Sequence, residues 1–248
     1  MIAPARAQTF EARKLRAERI LDSAAELLCR WGYNRVTIED VAAHTQIGKG
    51  TVYLHWKTRE DLFYAVILRD SLGMIGDFIA AVRGDPREAL LHRMIRLKYL
   101  SAMRRPILRA VVSADMKVLG RLASASDSNL ARMQDLISDE YYRLLFENDL
   151  IRPGFSVEDL TYGAGVVAIG FFAADSFLTS LGTDLDLERK ADLLEAAIER
   201  TFSAPASLEA LQAVQPPVIA MLERGREICR AYLQRAYEPH LHRTGDTP

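Results

Sequence analysis

Hydrogen-bonding side chains are concentrated in one short stretch of this sequence, KGTVYLHWK, from Lys49 to Lys57. At about 100° per residue, Val52 and Trp56 share the side of a helix that faces a core, whereas Gly50 and Leu54 lie opposite. The outward side is small at its centre and ringed by ammonium, hydroxyl and imidazole groups. This arrangement is unusual for a merely solvated surface, and it suits a helix whose outer face meets DNA.

The chemistry of each outward residue indicates a role at a duplex. Gly50 allows a close backbone approach, Lys49 and Thr51 can bond base edges, and Leu54 can touch a thymine methyl group. Other hydroxyl, imidazole and cationic groups suit phosphates, which set register rather than sequence. The sequence therefore predicts a DNA-contacting set made up of Thr37, Lys49, Gly50, Thr51, Tyr53, Leu54, His55, Lys57 and Arg59.

This stretch must be positioned by another short helix, which precedes it in the sequence. Thr37 is a good N-cap, and Asp40 three residues later makes an imperfect capping box, since Glu or Gln is the usual partner. The apolar repeat that follows stops at His44, and a new helix starts near Gly48. So short a turn between short helices predicts a helix-turn-helix over about 37–56.

The wider N-terminal pattern resembles the tetracycline-repressor (TetR) family over about 14–66, roughly a quarter of the chain. The matching landmarks stand in order without gaps: RILDSAAELL from Arg19, Trp31-Gly32-Tyr33, Thr37, Val41-Ala42, GKGTVYLHWK from Gly48, and Glu60-Asp61-Leu62. Two positions depart from the family pattern. Gln46 replaces the usual turn glycine and is expected to adopt a positive φ, and Gly48 replaces the common serine cap.

The resemblance implies an all-α homodimer that binds palindromic double-stranded operator DNA and is released by a small-molecule effector, with no cofactor. The predicted organisation is an arm at 1–10, a DNA-binding domain at 11–70, a ligand-binding and dimerisation domain at 71–204, and a helical extension at 205–248. Helix 1 is expected to start at about Thr9 and a later helix to run unbroken over 86–103. Pro216-Pro217 is expected to break an earlier helical piece. A last amphipathic helix is expected over Val218–Tyr237, and it could cover the body or extend the dimer contact.

The resemblance also implies regions for dimerisation and effector binding. Two consecutive helices, about 157–181 and 187–202, correspond to the family's dimer interface, although their faces could serve only the intrachain core. The dimer candidates are Ala164, Gly165, Ala168, Leu187, Ala191, Leu194 and Ile198. An apolar or aromatic effector is expected from candidate lining residues that could equally be ordinary core, namely Tyr99, Met103, Met116, Met133, Tyr141 and Phe171.

Composition and charge fit a cytoplasmic regulator with no membrane partner. The net charge of the 248 residues is −1, but residues 1–59 carry ten Lys or Arg against six acids, or +4, leaving −5 elsewhere. A basic N-terminal part suits local phosphate contact, although solvated helix faces also carry such charges. The uncharged run 160–174 is short of the roughly 18 residues of a membrane span. Cys29 and Cys229 are expected to be buried thiols.

No pattern typical of catalysis or metal binding accompanies these features. The sequence has no nucleophile elbow, phosphate-binding loop, dinucleotide fingerprint or zinc spacing. A ligand-responsive repressor is therefore the favoured interpretation. One alternative is a helical carrier or enzyme with an incidental helix-turn-helix-like corner. Another is an activator or protein-binding module that uses the long C-terminal helix.

Overall fold

A computed structural model describes residues 3–112, 129–178 and 185–237 of the chain. The helices it places, in chain order, are α1 Ala3–Trp31, α2 Ile38–Thr45, α3 Lys49–Tyr53, α4 Arg59–Gly84, a 3-10 helix Pro86–Ala89, α5 Leu91–Met103, α6 Pro106–Val112, α7 Asn129–Glu147, α8 Val157–Leu178, α9 Leu187–Phe202 and α10 Leu208–Tyr237. Within these ranges the β-type pairing is an isolated antiparallel bridge between Ile151 and Ser203. The predicted all-α class is confirmed.

The first three helices, which we call the head, enclose a small apolar core. Ile20, Ala24 and Leu27 of α1 are buried, as their helical spacing predicts. Trp31 lies on the same stripe but is 41% exposed, because it is the last residue of α1 and lies at the edge of the core. Gly32 then ends the helix with a φ of 76°, which glycine adopts without steric strain.

Helix α4 leads from the head into the remaining helices, α5–α9, which we call the body. It begins at a capping box in which Thr58 and Asp61 exchange side-chain and backbone hydrogen bonds. Its first turns pack on α1 and on the loop after it, where the phenol ring of Tyr33 meets the ring of Phe63 edge-on at 5.5 Å. Its last turns bury Ile79 and Val82 against other helices. One continuous rod therefore joins the two parts.

Two helix boundaries differ from the expected ones. Helix α1 starts at Ala3 rather than Thr9, because Pro4 is tolerated in a first turn that needs no N–H donor. The expected 86–103 helix is interrupted at Leu90, whose extended backbone separates the 3-10 helix from α5. The expected end of the 157–181 helix lies outside the described residues.

Helix α10 is continuous through Pro216 and Pro217, so the expectation of a break there is wrong. A proline inside a helix costs about 3 kcal/mol or more. Burial of Val214 and Val218, on either side of the two prolines, offsets this cost. The side-chain amide of Gln215 also donates to the Val82 carbonyl at 2.7 Å, which fixes the helix to α4.

The C-terminal helix lies along α4 and α7. Its Tyr232 ring contacts Tyr64 of α4 edge-on at a centroid distance of 5.0 Å. Glu223 pairs with Arg83 of α4, and Arg224 pairs with Glu140 of α7. Cys229 is buried against this packing, as predicted, whereas Cys29 of α1 is exposed, contrary to expectation. The extension thus covers the protomer itself, a choice that the sequence left open.

Candidate nucleic-acid interface

The start of α2 is fixed by a complete capping box. The Thr37 hydroxyl oxygen accepts from the Asp40 amide at 3.1 Å, and the Asp40 carboxylate accepts from the Thr37 amide at 2.8 Å. The Thr37 hydroxyl also donates to that carboxylate at 2.6 Å, and these hydrogen bonds lower the pKa of Asp40. The aspartate therefore completes the box despite its shorter side chain.

The turn between α2 and α3 depends on a left-handed residue. Gln46 has φ 57° and ψ 41°, which confirms the positive φ expected where the family has glycine. Its amide donates to the Ala43 carbonyl at 3.1 Å, and the Ile47 amide donates to the Ala42 carbonyl at 3.0 Å. A left-handed non-glycine residue is strained by roughly 1–2 kcal/mol. This turn sets the angle at which α3 leaves α2.

Helix α3 is held from one side and left uncovered on the other. Val52 is fully buried and Trp56 is 2% exposed, whereas Leu54 is 65% and Tyr53 is 41% exposed. Gly48 caps the helix without a side-chain hydrogen bond, as its replacement of serine predicts. A Cβ atom added at Gly50 would meet nothing within 4 Å. The internal packing therefore does not require a glycine at this outward position.

Lys49 is engaged by an acidic neighbour that the sequence interpretation missed. Its ammonium is ion-paired with Glu39 of α2 and lies 5.6 Å from the centroid of the Tyr53 ring. The pairing raises the pKa of Lys49 and lowers that of Glu39. Both side chains are exposed. Lys49 must leave Glu39 to reach a base, and the ten-residue separation of the pair gave no local signal in the sequence.

His55 does not face outward, so its predicted contact with phosphate is corrected. Its side chain is 6% exposed, and its ring lies against Trp56 at a centroid distance of 5.4 Å. The prediction assumed a helix through Trp56, but α3 ends at Tyr53. The turn that follows changes the direction of each later side chain and brings His55 inward.

Arg59 is used to hold the head together, which corrects its predicted role as a DNA contact. Its guanidinium donates to the Tyr33 carbonyl at 3.2 Å and the Val36 carbonyl at 3.3 Å, and it stacks 4.1 Å from the centroid of the Tyr33 ring. The Tyr33 hydroxyl in turn donates to Glu60 at 2.6 Å. Arg59 therefore fastens the loop before α2 to the start of α4.

The remaining predicted residues share one exposed surface, which we call the α3 face. Thr37, Lys49, Gly50, Tyr53, Leu54 and Lys57 are exposed, and Thr51 is partly exposed. Backbone groups, hydroxyls and two ammonium groups are available there. Such a surface can bind a polyanion and also present donors to base edges. Contact with DNA remains a prediction for these seven residues.

The effector candidates do not form one accessible set. Tyr99 is fully buried against the ring of Phe172 at 5.2 Å, and Tyr141 is 7% exposed and donates its hydroxyl to the Ala89 carbonyl at 2.9 Å. These two are core residues, because the wall of an open cavity must itself be accessible. Met103 and Phe171 are half-buried. Met116 and the side chain of Met133 lie outside the described residues.

Four of the dimer candidates are also core residues of the protomer, contrary to expectation. Ala164 is 1% exposed, and Ala191, Leu194 and Ile198 are fully buried, because α9 packs this stripe against α5 and α8. Gly165, Ala168 and Leu187 remain partly exposed. The small residues of α8 serve contact within the chain, since a Cβ atom at Gly163 would lie 2.8 Å from the Phe202 ring.

The uncovered apolar side of α8 carries larger side chains instead, and we call it the α8 face. Tyr162 is 77%, Val166 51% and Ile169 61% exposed. They line a shallow groove of about 750 Å³ that Asp139 and Arg143 of α7 border. By length and composition alone, the 18 residues Val157–Ala174 of this helix would be enough to cross a membrane, with a mean hydropathy of 1.3. One such helix does not by itself indicate a membrane span, because core helices of soluble proteins have the same length and composition.

An exposed short helix, carried on a capped partner helix and anchored by two buried side chains, defines a helix-turn-helix domain. Residues 20–66 match the sequence profile of the bacterial regulatory proteins of the tetR family. On this match residues 20–66 are similar to the DNA-binding domain of tetR family regulators. The resemblance stated from the sequence is thereby confirmed. In the described ranges, no group of three or more His, Cys, Asp or Glu side chains is placed to hold a metal ion.

Individual proteins are similar to this chain over different lengths. The chain is 29% identical over 75 residues to the uncharacterized HTH-type transcriptional regulator YvkB of Bacillus subtilis (strain 168), and the match covers 30% of this chain and 39% of that protein. A crystal structure assigned as a tetR family transcription regulator from Shewanella sp. PV-4 covers 76% of this chain and 98% of its own, with 14% identity and a TM-score of 0.53. A gamma-butyrolactone receptor (ArpA like protein) aligns with a TM-score of 0.46 and 17% identity over 88% of this chain and 98% of its own. The Shewanella structure shows the same fold.

Proposed function

We propose that this protein is a non-enzymatic, DNA-binding transcription regulator, a homodimeric repressor that a small-molecule effector releases from a palindromic operator. The observation that carries the proposal is the α3 face. Its helix is anchored by Val52, and by Trp56 just after the helix, while Gly50, Tyr53 and Leu54 remain uncovered. A major groove admits a helix presented in this way. The match of residues 20–66 to the tetR family profile supports the same function.

The dimer is proposed to form through the α8 face rather than through the four buried candidates. A second copy is the natural occupant, because the face is apolar at its centre and has both Asp139 and Arg143 at its border. In a two-fold contact each charge can meet its opposite on the partner. Two α3 helices held about one helical turn of DNA apart, or a multiple of it, would read an inverted repeat.

Helix α4 is the proposed route by which effector binding changes the spacing of the two heads. Near its middle, Arg69 donates to Asp22 of α1 at 2.7 Å. Two turns later, Asp77 accepts from Ser101 of α5 at 2.6 Å and from Arg105 at 2.8 Å. A shift of α5 would therefore move α4 and the head with it. An effector that prefers this shifted state reduces the population able to bind DNA.

Selection of random duplexes with the full-length protein, followed by fluorescence anisotropy on the selected duplex and a scrambled one, tests the function. Lys49→Ala and Thr51→Ala should each reduce the preference for the selected duplex by roughly 1–3 kcal/mol per lost base contact. Lys57→Ala and Tyr53→Phe should weaken both duplexes alike, and Lys57→Ala should also lower the salt dependence. Lys190→Ala removes the same charge from α9 and serves as the matched control.

The outcomes separate the possible functions. Selection of an inverted repeat and loss of preference in Lys49→Ala support the proposal. Failure to enrich any duplex would favour a helical carrier or enzyme with an incidental helix-turn-helix corner. Enrichment that is unchanged in both Lys49→Ala and Thr51→Ala would show that another surface reads the DNA.

A further inference from the structure

An open cleft lies at the junction of the head and the body, where α6 packs on both α1 and α4. Its volume is about 490 Å³. Ala25 and Cys29 line it from α1, Asp70 lines it from α4, and Pro106 and Ile107 line it from α6. We call this space the junction cleft. It shares no lining residue with the α3 face, with the groove on the α8 face or with the predicted effector set.

Asp70 brings an unpaired carboxylate to the junction cleft. In the part of the chain that the structure describes, this side chain forms no hydrogen bond or ion pair. The nearby guanidinium groups are engaged elsewhere, since Arg69 pairs with Asp22 at 2.7 Å and Arg105 pairs with Asp77 at 2.8 Å. Burial raises the pKa of Asp70, although the charges of Arg69 and Arg105 act in the opposite direction. A carboxylate partly withdrawn from water without a partner is unfavourable, and a bound cation would relieve this cost.

The other charged side chains at the junction cleft do not have this deficit. Glu26, which also lines it, pairs with His44 at 3.3 Å and with Arg30 at 3.8 Å. The Arg30 side chain is 66% exposed, so water hydrates its charge. Burial and the charge of Asp70 raise the pKa of the Cys29 thiol, and the charge of Arg109 opposes them. Asp70 is therefore the group of this cleft that gains most from a charged ligand.

We propose that the junction cleft binds a primary amine with a short apolar chain, and that Asp70 pairs with its ammonium. Ala25, Pro106 and Ile107 supply an apolar wall for the chain. A charge-assisted hydrogen bond beside such a wall is stronger than one in water. An ammonium fits better than a metal ion, because the described ranges hold no group of three or more His, Cys, Asp or Glu side chains placed for a metal. The site goes beyond the proposed regulator function, since nothing in it requires DNA.

Probes that differ in the charge of one end test the inference on the full-length protein. Isothermal calorimetry would compare hexylamine with hexanol and with hexanoate. Wild type should bind hexylamine about fivefold or more tightly than hexanol, because the ammonium supplies the missing charge. Asp70→Asn should lose that preference with hexanol binding unchanged, and Asp70→Glu should keep part of it. Glu209→Gln, at the exposed start of α10, removes the same charge and serves as the matched control. Circular dichroism confirms that each variant is folded.

The thiol of Cys29 reports whether the amine occupies the junction cleft. Cys29 is exposed, whereas Cys229 is buried, so iodoacetamide should alkylate Cys29 first. Saturating hexylamine should slow the alkylation of Cys29, measured by mass spectrometry of its peptide, more than hexanol does at the same concentration. Asp70→Asn should abolish this extra protection.

Four results would overturn the inference. The first is hexylamine binding no tighter than hexanol in wild type, and the second is a preference that persists unchanged in Asp70→Asn. The third is hexylamine binding that leaves the alkylation rate of Cys29 unchanged, because the amine would then lie elsewhere. The fourth is tighter binding of hexanoate than of hexylamine, which would assign the cleft to anions through Arg30.

Discussion

Replacement of Gln46 by glycine should stabilise the head, because the native residue holds a left-handed backbone. The φ of 57° and ψ of 41° place Gln46 where a Cβ atom is strained by roughly 1–2 kcal/mol. Glycine removes this strain but adds about 0.4–1 kcal/mol of backbone entropy to the unfolded chain. The net gain is therefore about 0.5–1 kcal/mol in the free energy of unfolding.

Urea unfolding followed by tryptophan fluorescence measures this gain in the relevant part of the molecule. The chain has two tryptophans, Trp31 and Trp56, and both belong to the N-terminal part that contains the turn. With urea m-values of about 1–3 kcal/mol/M, the midpoint should rise by roughly 0.2–1 M. Ala43→Gly is the matched control, because Ala43 is exposed inside α2 and glycine costs about 1 kcal/mol there. A fall in midpoint for Gln46→Gly as large as the fall for Ala43→Gly would refute the reasoning.

Three further predictions concern the body. Gly163→Ala should lower the unfolding free energy by about 1–3 kcal/mol relative to Gly170→Ala, because only a methyl group at position 163 meets the Phe202 ring, at 2.8 Å. Urea unfolding followed by circular dichroism compares the two variants, and equal midpoints would contradict the packing. Burial lowers the pKa of His92, which lies 3.0 Å from the Ser203 hydroxyl. The imidazole is therefore protonated at higher pH in the unfolded chain than in the folded one, and the free energy of unfolding should fall as pH drops below the ordinary value of 6.5. Thermal melts from pH 7 to 5 should show a smaller loss of stability in His92→Gln than in wild type. An identical loss would exclude this histidine as its source. Ile169→Glu should convert the dimer to a monomer in light scattering, because it places a charge on the α8 face, whereas Leu208→Glu, on a residue of similar exposure, should not.

The helix-turn-helix could be predicted closely because its determinants are local. The capping boxes of α2 and α4 require only a hydroxyl residue and an acid three positions later. The left-handed Gln46 followed from a turn that normally takes glycine. The bounds of α9, Leu187–Phe202, followed from a regular apolar repeat between clear stop signals.

The predictions that were wrong concern a helix end or packing between helices, neither of which a local sequence pattern specifies. His55 turned inward because α3 ends three residues before Trp56, and helix ends are poorly marked by periodicity alone. The two prolines of α10 were expected to break it, but packing on α4 offsets their cost. Small residues such as Ala164 and Gly163 favour close contact between helices, but they do not indicate whether the other helix belongs to the same chain or to a second copy.

Photo-crosslinking from the α3 face tests most directly whether this face meets DNA. A benzophenone amino acid would replace Leu54, which is 65% exposed, or Leu208 of α10, which is 68% exposed, in the full-length protein bound to the selected duplex. Irradiation should join position 54 to the duplex, with up to two protomers on each duplex, and should leave position 208 unattached. Crosslinks that are absent at position 54, or that are equally frequent at position 208, would contradict the account.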